Sequence, residues 1–138
     1  MKTDSLILCL QLAATGQLVL AILSLFLSRL LGWMEAISNM PLLVREVFLI
    51  HGWFISITLG IFGVLTWRFA PEMAAGAHDF LRWFAGGIAL FWGIRCVMQW
   101  THYSAEHWRG KPARTAIHWT VFVSYAAFTA TYLKAALG

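Results

Sequence analysis

Four long apolar runs separated by short polar segments organise this chain of 138 residues. The first, Ser5 to Ser28, contains no charged residue, and Arg29 and Trp33 mark its far end. Val47 to Trp67 has His51 as its only ionisable group. Phe80 to Trp100 is broken only by Arg82 near its start and Arg95 inside it, and Thr115 to Leu133 has His118 near its start. A hydrocarbon core about 30 Å thick is crossed by about 20 helical residues at about 1.5 Å rise each. Each run is therefore long enough to span a bilayer.

The segments between the runs carry turn chemistry. Ser38 or Asn39 can cap a helix that has Pro41 in its first turn, where the missing N–H costs nothing. Pro71 predicts the end of that second helix, and Asp79 offers a cap for the third. Gly110 and Pro112 predict the end of the third helix and the start of the fourth. The predicted helices cover about 5–32, 41–69, 79–108 and 113–136. Connections this short make consecutive helices antiparallel neighbours. The sequence thus predicts an all-α fold, a transmembrane up-down-up-down four-helix bundle forming a single integral membrane domain over 1–138. No internal repeat and no disordered tail interrupts it.

Composition strengthens this reading. With 60% hydrophobic and 12% charged residues, the chain lies far outside the range of soluble proteins. Its net charge of +4 comes from Lys and Arg placed singly, with no basic tract for a phosphate backbone, so nucleic acid is excluded as a partner. Cys9 and Cys96 fall inside apolar runs and read as small hydrophobes rather than a disulfide framework. Leu-Ile-Leu before Cys9 lacks the small residues of a lipidation site. The first apolar run is too long for a cleaved signal peptide and has no small-x-small exit, so it reads as a spanning helix that stays.

Gly60 with Gly63, and Gly86, Gly87 and Gly93, can bring helices close where lipid gives apolar side chains no reason to associate, although glycine is also common in spanning helices. Of eight tryptophans, Trp33, Trp53, Trp67, Trp83, Trp100, Trp108 and Trp119 fall near predicted helix ends and read as head-group anchors. Trp92 alone lies deep.

The face holding both termini carries Lys2, Arg68, Arg82 and Lys134. The opposite face carries Arg29, Arg45, Arg109, Lys111 and Arg114, with Arg95 leaning the same way. By the positive-inside rule the second face is cytoplasmic and the termini are periplasmic, in a bacterial inner membrane. His51, His102, His107 and His118 also belong to that second face, and only His78 to the first.

At 100° per residue, Arg95, Gln99, His102 and Glu106 lie at about 0°, 40°, −20° and 20°, one narrow stripe if the third helix continues to Trp108. Arg114, His118, Tyr125, Thr129 and Tyr132 fall within about 60° on the fourth helix. His51 and Thr58 share a direction on the second, whereas Arg45 and Glu46 point to the opposite side. Arg95 lies about 7.5 Å of rise from Trp100, so its stem can snorkel to water. The alignment of the other polar groups instead predicts a pocket opening toward the cytoplasmic face, lined by Arg95, Gln99, His102, Glu106, His118, His51 and Tyr125.

Four kinds of chemistry fit such a pocket. It can bind a quinone or lipid-like molecule, with Arg and His donating to its oxygens and a His passing protons, as in accessory or anchor subunits. His51 and His118 can supply both axial ligands of a b-type haem. His102 and Glu106, at i and i+4, can serve a metal-dependent enzyme, but His107 turns away and no HExxH pattern is present, so no metal site is assigned. A His and Glu pair with Arg95 can support acid–base catalysis. Alternatively the stripes bind each other, a partner membrane protein or a second copy, and the protein is structural. Transport through four helices would require an oligomer.

The segments PLLVREVFLIHGWF, FWGIRCVMQW and HWRGKPARTAIHW resemble those of uncharacterised small four-span bacterial integral membrane proteins. The likeness covers most of the chain from Pro41 onward. It implies the four-span fold and a bacterial membrane, and no activity.

Overall fold

The computed structural model describes residues 3–107 and 109–138, so Lys2 and Trp108 lie outside the described residues. Five α-helices follow in order: α1 (Thr3–Leu30), α2 (Met34–Ser38), α3 (Leu42–Ala74), α4 (Asp79–Thr101) and α5 (Pro112–Leu137), with a 3-10 turn at Ala105–His107 between the last two. Among the described residues there is no strand. Three helices, α1, α3 and α4, are long and apolar enough to cross a membrane, the build of an integral membrane protein. Helix α5 has the length, but Arg114, His118, Ser124 and several threonines dilute its apolar character and it falls short of the other three.

The helix ends follow from local chemistry and correct several expectations. Gly32 and Gly76 take positive φ and close α1 and α3 with the same pair of bonds. Gly32 N–H donates to Arg29 and Trp33 N–H to Ser28, while Gly76 N–H donates to Met73 and Ala77 N–H to Glu72. This is the glycine-terminated reversal that satisfies the last helical carbonyls. Helix α3 therefore runs past Pro71 instead of stopping there, because a proline one turn from the end costs only its own N–H bond while its carbonyl still accepts from Ala75. Ser38 and Asn39 do not cap α3. They end the unforeseen α2, with the Ser38 hydroxyl donating to the Glu35 carbonyl, and Pro41 precedes the helix with its carbonyl accepting from Arg45. His78, in extended conformation, holds the N-cap of α4, and Asp79 is the first residue inside it.

The largest correction concerns the end of α4. It stops at Thr101 rather than near 108, with His102 as its C-cap. No glycine or proline forces this. The Thr101 hydroxyl donates to the Val97 carbonyl and also meets His102 Nδ1 at 2.9 Å, and Ser104 Oγ accepts from Glu106 N–H in the turn that follows. Hydroxyl side chains that bond to nearby backbone compete with helix continuation.

The described chain divides into two compact units, Met1–Ala13 with Phe69–Gly138, and Ala14–Arg68. The first draws segments from all four long helices and buries Leu10, Met73, Ile88, Trp92 and Tyr132 almost completely. Four spans in up-down-up-down order over their whole length are more than this establishes; what is observed is an all-helical chain with three membrane-length apolar helices.

The second unit contains the closest approach at a glycine. A Cβ added to Gly63 would lie 2.7 Å from Leu18 Cγ and 3.1 Å from the Ala14 carbonyl oxygen, so hydrogen at this position is what lets α3 meet α1. Gly60 has nothing within 4 Å of the same probe position. Gly63→Ala should lower thermal stability in detergent by about 1 kcal/mol, since the leucine end can give but the backbone cannot. Gly60→Ala should leave it unchanged, and equal losses from both would disprove the close contact.

Candidate functional site

Within the first unit α4 and α5 pack as an antiparallel pair in one continuous register. Gln99 meets His118, Cys96 lies against the Phe122 carbonyl, Trp92 stacks on Tyr125, and Gly93 approaches Thr129. Arg82 donates from Nε to the Ala136 carbonyl at 3.2 Å, placing a cation at the negative end of α5. Each step forward on one helix is matched by a step back on the other. The C-terminal end of α4 and the N-terminal end of α5 therefore lie together.

Polar groups of both helices meet near that shared end. Gln99 Nε2 lies 2.9 Å from His118 Nδ1, with both residues buried. An amide nitrogen donates, so the ring Nδ1 accepts and the imidazole proton sits on Nε2. One turn earlier on α4, the half-buried Arg95 places its guanidinium carbon 5.2 Å from the Tyr125 ring centroid and 5.7 Å from that of Tyr103. Its Nη2 donates to the Tyr103 hydroxyl at 3.2 Å. Helical side chains lean toward the N-terminus, so a guanidinium reaching forward to Tyr103 is held there by its partner.

An aromatic layer flanks these contacts. Trp92, 2% exposed, sits against Phe91, Tyr125 and Phe128 at centroid distances of 5.3, 5.0 and 4.9 Å. On the outer side Trp100, Trp119 and Phe122 form a mutual edge-on cluster that reaches the His118 ring. The other tryptophans read as anchors, Trp33, Trp53, Trp67 and Trp83, are all exposed.

The residues singled out from the sequence thus separate. Arg95, Gln99, His118 and Tyr125 belong to the α4–α5 contact. His102 and Glu106 leave the proposed stripe because α4 ends before them. His102 lies at the end of an open groove of about 670 Å³, with Gly86, Ala89, Gly93, Thr101 and Thr129, and the Glu106 side chain is exposed. His51 lies in the second unit, exposed, with Nδ1 bonded to its own helix at the Val47 carbonyl, 2.8 Å away. Among the described residues no group of three His, Cys, Asp or Glu is placed to hold a metal ion. Tyr103 escaped the sequence reading because it follows the helix; an arginine at spanning depth eight residues before a tyrosine was the available signal.

Fold and site together define a helical integral membrane protein with a polar contact between two antiparallel helices. Compared with family models, curated proteins and solved structures, the chain matches none.

Proposed function

We propose that this is a four-span, up-down-up-down membrane protein that binds a quinone or lipid-like amphipathic molecule, serving as an accessory or anchor subunit. Arg95, Gln99, His118 and Tyr125 meet the ligand's polar head. His102, Glu106 and His51 belong to the wider set of candidate contacts. The observation that carries the reading is the buried Gln99–His118 hydrogen bond one turn from the Arg95–Tyr125 contact. Side chains able to donate to a carbonyl or anionic oxygen are thus concentrated at one end of an apolar helix pair. From Thr101 and Pro112, the helix ends, Arg95 and His118 are each about 9 Å of rise away, a depth at which a head group reaches them while its tail stays among the helices.

Mass spectrometry and an absorption spectrum of gently extracted protein test this. The expected result is a bound small molecule with a long apolar chain, lost when Gln99→Leu and His118→Leu are combined. A bare chain would contradict the reading. A Soret band would replace it with the haem alternative.

A further inference from the structure

We infer that Arg95 is the receptor for a phosphate group, so that the amphipathic ligand is a phospholipid and not a quinone; this rests on the ligand-binding reading above and narrows it. A guanidinium stays charged at any depth. Its contacts with described residues are the Tyr103 hydroxyl and the Tyr103 and Tyr125 rings, and none is a carboxylate. Glu106, the nearest acidic residue along the chain, is exposed and bonds only through its backbone N–H to Ser104.

The magnitudes show that the rings alone are insufficient. A cation over an aromatic face gains about 0.5–2 kcal/mol. Withdrawing an ion from water costs several kcal/mol even after relaxation. One hydrogen bond to a phenol occupies one of five guanidinium N–H groups. An anion presented to the remaining donors closes the difference, and the anion abundant where a spanning helix nears its end is lipid phosphate, whose oxygens fit the guanidinium fork two at a time. The Tyr103 hydroxyl fixes the fork's direction, so it is a positioning residue for this site.

The test uses the full chain in mild detergent, with phosphatidylglycerol, phosphate-free diacylglycerol and inorganic phosphate as separate probes and native mass spectrometry as the readout. The wild type is expected to retain phosphatidylglycerol and not diacylglycerol. Arg95→Gln should weaken retention about tenfold or more, the equivalent of one lost charge-assisted hydrogen bond. Arg95→Lys, which keeps the charge and loses the fork, should retain an intermediate amount. Tyr103→Phe lies outside the helices, spares folding and should also reduce retention. Displacement of the lipid by inorganic phosphate supports the phosphate site and assigns it to a soluble source as well. Equal retention by wild type, Arg95→Gln and Tyr103→Phe would overturn the inference. So would a quinone retained independently of Arg95, an outcome that leaves the broader reading standing, whereas no ligand at all removes both.

Discussion

Trp92→Ala should be among the most damaging single substitutions in the protein, costing about 3 kcal/mol of stability in detergent. The value is the lower end of about 3–5 kcal/mol for a truncated buried indole, because lipid or detergent tails solvate apolar surface as readily as a neighbouring helix does and only the cavity and lost packing remain. Trp92 is 2% exposed and touches three aromatic rings, two of them on α5. Its removal therefore opens the middle of the α4–α5 contact. Trp83, 82% exposed on the same helix, is the control: Trp83→Ala should fall within about 0.5 kcal/mol of wild type. Thermal unfolding followed by circular dichroism measures both. Equal small effects would mean that Trp92 faces lipid like the others.

Gln99→Leu and His118→Leu come next, each expected to destabilise by about 1–3 kcal/mol, the cost of leaving a buried polar partner without its bond. Leucine closely matches glutamine in size, so the first substitution removes the amide and little packing. Both residues are under a tenth exposed, at 6% and 7%, which keeps water from replacing the lost contact. Thr101, whose hydroxyl also bonds but on the exposed surface, should tolerate Thr101→Val with a far smaller loss.

The long elements were legible in the sequence because spanning helices need only length and apolarity, and those two properties are local. Their ends were less so. Pro71 was read as a stop, but a proline near a helix end removes one bond and no more, and Gly76 four residues beyond its neighbours supplied the actual reversal. At the other extreme, α4 ended without glycine or proline, through hydroxyl groups at Thr101 and Ser104 competing for backbone partners. That competition is decided by small energy differences that periodicity does not register.

The same distinction governs the site. Angular arithmetic aligned Arg95 with Gln99 and His118 with Tyr125 because all four lie inside continuous helix, where 100° per residue holds. It failed for His102 and Glu106, which follow the last helical turn. It was silent on Tyr103 for the same reason. The pairing of one stripe with the other depended on the register of α4 against α5, which small residues such as Gly93, close to Thr129, help to set across the interface.

The decisive measurement is a double-mutant cycle between Gln99→Leu and His118→Leu, read as unfolding free energies in one detergent. Direct contact across two helices in a nonpolar surrounding predicts a coupling of about 0.6–1.7 kcal/mol. Losses that simply add, within about 0.3 kcal/mol, would show that the amide and the imidazole do not meet.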